Sequence, residues 1–180
     1  MTDAADRLYE RVLVLRCQAR DVSAFEEIVA RYTPRLRYYL RKMLGGVESA
    51  EDALQEVWLD AFRGITRLNE PGAFPAWVYR LARDRAFREL RRRRSHLPLE
   101  DFDFVDEASD AGEFSPEDAE RIHDALDMLP PEHREVLVLQ FIEGLTYEEL
   151  ARVVGCQIGT VRSRLHYAKR GLRRLIEGTE

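Results

Sequence analysis

The stretch from Thr146 to Leu175 admits few folds. "TYEE", Thr146 to Glu149, has the form of a capping box, in which a threonine and a glutamate three residues on satisfy each other's free backbone N–H groups. "LARVVG" carries that short helix to Gly155. A second helix starts near Ile158, and its apolar residues Val161, Leu165, Ala168, Leu172 and Leu175 recur at steps of four, three, four and three. That spacing makes a single buried stripe. Two helices joined by a glycine-centred turn of this length form a helix-turn-helix. Thr160, Arg162, Ser163, Arg164, His166, Tyr167, Lys169 and Arg170 are left for the outer sides. Small hydrogen-bonding side chains at the start and arginines beyond them suit a helix that meets base edges and phosphates.

Charge supports this reading once it is taken by block. The 180-residue chain has a formal net charge of -5, yet Gly159 to Leu175 holds six bases and no acid. Arg80 to Arg94 holds eight arginines against Asp84 and Glu89. Leu99 to Glu120 holds ten acids and no base. Two basic surfaces separated by an acidic connector are what a partner meets, because local potential rather than net charge governs binding.

The rest of the chain is helical in period, with no alternating strand pattern. Asp21 or Ser23 caps a helix with apolar face Phe25, Ile28, Val29 and Tyr32. Thr33-Pro34 reads as the cap and first turn of the next, which carries Leu36, Tyr39, Leu40 and Met43 and stops at Gly45-Gly46. Ser49 starts a third, with Ala53, Leu54, Val57, Trp58, Ala61 and Phe62 inward and Glu51, Gln55, Glu56 and Asp60 outward. After a loop from Arg63 to Gly72, a long helix runs from about Phe74 to Arg92. An acidic, flexible linker is expected over 95–115, with Phe102, Phe104 and Phe114 as docking points. "SPED", Ser115 to Asp118, restarts helix, which ends before Pro130-Pro131. A further apolar run follows to Gly144. The expected fold is all-α: two small helical domains, 1–94 and 116–180, joined by that linker.

The upper basic block differs in kind from the lower one. Trp77, Tyr79 and Phe87 interleave with arginines, following a loop that holds Arg67 and Asn69. Rings stack on any unpaired base while arginines hold phosphate, so the pattern suits single-stranded nucleic acid. Core packing is the competing reading for Phe74 and Trp77. Tyr79 and the arginines are expected outside.

Other functions find little support. Hydrophobic residues make up 45% of the chain and charged ones 34%, a globular composition. No apolar run approaches the roughly 20 residues that span a bilayer, and the N-terminus makes a poor signal peptide, so no membrane insertion is expected and the cytoplasm is the expected compartment. Cys17 and Cys156 form no metal-ligand pattern, and His96, His123, His133 and His166 are scattered. No metal site, cofactor, phosphate loop or catalytic constellation is expected, and the chain is not read as an enzyme.

Taken in order, these motifs resemble the extracytoplasmic-function (ECF) group of the sigma-70 family, bacterial RNA polymerase sigma factors. The likeness runs from about Asp21 to Leu175. "AFEEIVARYTPRLRYYLRKMLG" is similar to region 2.1 and "AEDALQEVWLDAF" to region 2.2. "FPAWVYRLARDRAFRELRRRR" is similar to regions 2.3 and 2.4, and the segment from Leu129 to Leu172 to region 4. The resemblance implies an initiation factor that binds core RNA polymerase, directs it to promoters and assists melting. It implies polymerase contacts at Glu51, Asp52, Gln55, Glu56 and Leu59. It implies contacts with a single-stranded −10 element at Arg67, Asn69, Phe74, Trp77, Arg80, Arg83, Asp84 and Arg88. Contacts with a duplex −35 element fall to Gln157, Thr160, Arg162, Ser163, Arg164, His166, Lys169 and Arg170. Asp84 stands where the family usually has Asn, leaving two roles open: touching DNA, or orienting Arg80 or Arg88. Anti-sigma factors are frequent partners in the family. A dimeric helix-turn-helix regulator is the alternative, and it has no use for the single-strand surface.

Overall fold

The computed structural model describes residues 4–94 and 119–178. The expected linker, its three phenylalanines and the Ser115 cap lie outside them. Every regular element among the described residues is helical.

The N-terminal half is a four-helix bundle: α1 (Ala4–Gln18), α2 (Val22–Leu44), α3 (Val47–Gly64) and α4 (Phe74–Arg94). Asp21 caps α2 by accepting from the Ala24 N–H. The serine hydroxyl of Ser23 and the Arg16 guanidinium hold this carboxyl down at about 2, well below the usual range. Gly45, at φ 68°, ends α2 in the left-handed conformation that glycine adopts without steric cost. Two short 3-10 turns, Ile65–Arg67 and Pro71–Ala73, lead into α4. The core is a continuous layer that includes Leu13, Ile28, Leu36, Leu40, Leu54 and Val78.

Two sequence expectations about elements are corrected here. Thr33-Pro34 does not start a new helix: α2 runs through Pro34 for 23 residues. The buried faces on either side, Ala24–Ile28–Tyr32 and Leu36–Tyr39–Leu40–Met43, continue one stripe, and that shared burial outweighs the loss of one backbone bond at proline. The Thr33 hydroxyl is not a cap but accepts from the Trp58 indole N–H at 3.1 Å. The third helix starts at Val47 rather than Ser49, with Gly46 as its uncapped N-cap.

The C-terminal half contains α5 (Ala119–Met128), α6 (Pro131–Leu137), a π-helical turn (Val138–Ile142), α7 (Tyr147–Val154) and α8 (Ile158–Glu177). The capping box forms in full: Thr146 Oγ1 accepts from the Glu149 N–H, and Glu149 accepts from the Thr146 N–H at 2.8 Å. Gly155, at φ 73°, turns the chain from α7 to α8. Val161, Leu165, Ala168 and Leu172 are buried as the spacing requires, and Leu175 packs at the edge of the core.

The two halves pack directly on each other. Helix α4 lies along α7, and α2 meets α6.

Candidate nucleic-acid and polymerase interfaces

Three surfaces carry the expected site residues, and they lie on three different helices. On α3 the apolar positions Ala50, Leu54, Val57 and Ala61 face the core. Asp52, Gln55, Glu56 and Leu59 consequently stand outside and are exposed. Phe62 joins Leu59 at the surface, each about half exposed at 50% and 48%, although Phe62 reads as a core residue in the sequence. Its ring edge meets Phe25 at 5.2 Å, so it roofs the core without being closed over. Glu51 is half-buried and committed within the fold, 2.7 Å from Arg37 and 3.5 Å from Arg41. The hydrogen bond from Arg37 holds its carboxyl below the usual range. Glu56 and Asp60 both hold Arg85, at 3.1 and 2.5 Å, which ties α3 to α4.

Helix α4 and the loop before it carry the second set. Arg67 and Asn69 are exposed on the loop, and Arg80, Asp84 and Arg88 form an exposed row at successive helical turns. Asp84 pairs with neither arginine; the Arg80 guanidinium donates instead to the Arg152 carbonyl at 3.0 Å. Phe74 is corrected: it is 0% exposed, with its ring edge-on to Tyr32 at 5.2 Å, so in this arrangement it is core and not a stacking surface. Trp77 is half-buried, tilted against Phe74 at 5.9 Å and close over Gly64. Arg83 is only partly exposed. Its guanidinium lies 4.4 Å from the Phe87 ring centre and 2.9 Å from Glu135. Tyr79, expected outside, is fully buried. In each case the reason is tertiary: Phe74 and Trp77 pack within the N-terminal bundle, against Tyr32 and Gly64, while Arg83 and Tyr79 meet Glu135 and Glu143 of the C-terminal half.

The third set opens α8. Gln157 is the N-cap residue, but its side chain makes no capping bond, so the first N–H groups of α8 are left facing outward. Gln157, Thr160, Arg162, Ser163 and His166 are exposed there. An uncapped helix start with a positive dipole end is suited to phosphate. Arg162 sits 5.9 Å from the Tyr147 ring, and Lys169 sits 4.9 Å from the Phe141 ring. The Ser163 hydroxyl donates to the Gly159 carbonyl at 3.0 Å, which leaves its oxygen free to accept. Arg164, Lys169 and Arg170 are half-buried, set back from the exposed front of the helix.

The sequence patterns did not reveal the charged residues between the halves. Glu135 and Glu143 are the buried charged side chains among the described residues. Both bind the N-terminal half. Glu135 accepts from the Tyr39 hydroxyl at 3.0 Å and faces Arg83. Glu143 accepts from Arg35 Nε at 2.8 Å and from the Tyr79 hydroxyl. Glu143 lies next to the glycine that ends an apolar run, and nothing in its local pattern distinguishes it from a solvated acid.

A helix-turn-helix with an open recognition-helix start, a separate arginine row on a long helix and an exposed mixed face on a third helix define a DNA-binding protein with more than one partner. Profiles of known families agree. Sigma-70 region 2 matches residues 28–96, and Sigma-70 region 4 matches 119–172. The ECF RNA polymerase sigma-E factor of Haemophilus influenzae is 32% identical over 178 residues, covering 92% of this chain and 94% of that protein. The ECF sigma factor SigE of Mycolicibacterium smegmatis is 34% identical over 157 residues, covering 83% of this chain and 60% of that protein. CnrH, solved in complex with the cytosolic domain of CnrY, has the same fold, with TM-score 0.73, 23% identity and coverage of 95% and 99% of the two chains. The sigma factor RpoE of Bartonella quintana, solved with the anti-sigma factor NepR, aligns with TM-score 0.67 and 24% identity over 85% and 96%.

The chain belongs to the ECF group of the sigma-70 family. It is a DNA-binding transcription initiation factor that directs RNA polymerase to promoters, and the family is not enzymatic. No helix among the described residues is long and apolar enough to cross a membrane.

Proposed function

We propose that the three surfaces divide the work of initiation. The outer face of α3 (Asp52, Gln55, Glu56 and Leu59, flanked by Glu51) docks on core polymerase. The row Arg80, Asp84 and Arg88 on α4, with Arg67 and Asn69 before it, Trp77 beside it and Arg83 once uncovered, takes the separated −10 strand. The start of α8 (Gln157, Thr160, Arg162, Ser163 and His166, backed by Arg164, Lys169 and Arg170) takes the −35 duplex. Residues 1–94 and 116–180 form the two functional units, joined through 95–115. The protein works in the cytoplasm, and an anti-sigma factor regulates it.

The observation that carries this reading is that Asp52, Gln55 and Leu59 on the outer face of α3, and Gln157, Thr160, Arg162 and Ser163 at the start of α8, are all exposed while the opposite faces of both helices are buried. A polar face with two large exposed apolar residues, Leu59 and Phe62, fits a protein partner, where a purely solvated face would be polar throughout.

The test reconstitutes core polymerase with wild-type chain and with Gln55→Ala/Leu59→Ala. Wild-type chain should be retained on core polymerase and give defined RNA 5′ ends. The variant should lose on the order of 1–3 kcal/mol of core binding with its helix content intact. Full retention of the variant would remove α3 from the polymerase interface. Tight, sequence-specific binding of the chain alone to duplex promoter DNA would favour an autonomous regulator instead.

A further inference from the structure

The last residue of α1, Gln18, reaches across to the loop before α4. Its side-chain Nε2 donates to the Ile65 carbonyl at 3.1 Å and to the Leu68 carbonyl at 2.7 Å. Both partners are acceptors, so the orientation of the amide is fixed: only its NH2 group can make the pair. The Ile65 carbonyl also accepts from the Leu68 N–H at 3.2 Å, which closes the 3-10 turn Ile65–Arg67. Gln18 therefore grips both ends of that turn at once.

The turn sorts its residues. Ile65 is buried and Leu68 packs against the core, whereas Thr66, Arg67 and Asn69 are exposed. The carbonyls that Gln18 holds belong to the two inward residues, and Arg67 and Asn69 are left outside. From Leu68 to Glu70 the chain lies outside any helix, so no helical ladder of backbone bonds sets its path.

The anchor is rigid. Just after Gln18 the chain turns through Arg20, at φ 66°, with the Arg20 N–H on the Cys17 carbonyl and the Asp21 N–H on the Arg16 carbonyl, each at 3.0 Å. A left-handed backbone at a non-glycine residue persists where its surroundings over-determine it. Here Arg16 pairs with Asp21 at 2.8 Å, and Asp21 caps α2. Further back along α1 the Arg11 side chain lies against Gly72, where an added Cβ would stand 3.6 Å from it, so α1 backs both turns of the loop. Gln18 carries no charge or ring, and nothing in the sequence pattern marks it.

We propose that Gln18 is a positioning residue for strand capture: from α1 it fixes the Ile65–Leu68 turn so that Arg67 and Asn69 are presented together to the separated −10 strand. Gln18 acts through the loop and touches no DNA itself. A loop ordered in advance spares the cost of ordering it on binding, and two side chains held in one register sharpen the choice between bases. This rests on the assignment of Arg67 and Asn69 to the single strand; the bracing of the loop does not.

The test uses holoenzyme assembled with a saturating excess of full-length chain, and a panel of short single-stranded DNAs that differ by one base. The chains are wild type, Gln18→Ala, Gln18→Glu (nearly the same shape, with no donor for the two carbonyls at neutral pH), Arg67→Ala/Asn69→Ala, and that pair combined with Gln18→Ala. Anisotropy reads strand affinity, and amide hydrogen exchange in the free chain reads the Leu68 N–H. Gln18→Ala and Gln18→Glu should each weaken binding of the preferred strand by roughly five- to thirtyfold, as the loss of one or two hydrogen bonds implies. Both should also narrow the spread across the panel and speed exchange at Leu68. In the Arg67→Ala/Asn69→Ala background, Gln18→Ala should add less than about twofold, because a residue acting through that pair has nothing left to position. A full additional loss there would reduce Gln18 to general support of the bundle and overturn the proposal. Wild-type affinity in Gln18→Glu would overturn it as well, and unchanged Leu68 exchange in both Gln18 variants would overturn the bracing. Unchanged strand binding by Arg67→Ala/Asn69→Ala would overturn the strand assignment, leaving Leu68 exchange to judge the bracing by itself.

Discussion

Arg83 stands 2.9 Å from Glu135 across the boundary between the two halves, and the carboxylate it faces is wholly buried. Burial pushes Glu135 up to about 7, although Arg83 and the Tyr39 hydroxyl both favour its charged form. Desolvation therefore outweighs the pairing, as it commonly does for ion pairs removed from water.

A pH dependence follows from that shift. Tyr39 on α2, Arg83 on α4, Glu132 on α6 and the more distant Arg164 on α8 are the charged or titratable groups acting on Glu135. Its folded pKa is raised, so the folded chain holds this proton more tightly than the unfolded one. The stability contributed by the bound proton is full below about 4.5 and is lost as pH rises to about 7. The loss is on the order of 3 kcal/mol. Urea midpoints for wild type should fall over this window, and Glu135→Gln should flatten that part of the slope. An equal slope in both proteins would assign the effect to other groups.

At the recognition helix, Arg162 and Lys169 should behave differently. Arg162 is exposed in the first turns of α8, where base edges are met, whereas Lys169 is set back beside Phe141. Arg162→Ala is expected to lose about 1–3 kcal/mol on promoters with the preferred base and little on others. Lys169→Ala should weaken all promoters alike and flatten the salt dependence. Holoenzyme binding to a panel of −35 variants at several salt concentrations measures both. Uniform losses from Arg162→Ala would take it off the bases.

Phe74 separates packing from recognition on α4. With its ring fully buried against Tyr32, Phe74→Ala should cost about 3–5 kcal/mol of stability. Arg67→Ala and Asn69→Ala, on the exposed loop, should change stability by less than about 0.5 kcal/mol while weakening strand capture. Thermal melts and single-strand binding by the holoenzyme make the comparison. A stable Phe74→Ala protein with poor strand capture would return the ring to the DNA surface.

The capping box offers a local check on the helix-turn-helix. Thr146→Ala removes the acceptor for the Glu149 N–H at the start of a helix only eight residues long. A loss of about 1 kcal/mol is expected, and Thr146→Ser should recover most of it. Chemical denaturation reads this directly, and an unchanged midpoint for Thr146→Ala would show the cap to be dispensable.

Local chemistry settled most of the C-terminal reading from the sequence alone. The capping box, the left-handed glycine at 155 and the buried Val161-to-Leu172 stripe depend on neighbours within a few residues, so their pattern is written in the chain. The same holds for Asp21, Gly45 and the inward Leu54, Val57 and Ala61 of α3. Charge blocks likewise marked the two basic helices and the order of the motifs identified the family.

Tertiary structure decided whatever depended on what lies across an interface. Pro34 sits within a helix because burial on both sides of it forms one stripe. Tyr79 and Phe74 are core and Phe62 is surface, against their expected places, because Tyr79 meets Tyr39 and Glu143 across the boundary between the halves, Phe74 packs on Tyr32 of α2, and part of α3 is left uncovered. Glu135 and Glu143 are ordinary acids in the sequence. Only the packing of the two halves removes them from water and obliges them to find Arg83, Tyr39, Arg35 and Tyr79, because the cost of burying a charge is set by partners about 50 to 110 residues away and not by its neighbours in the chain.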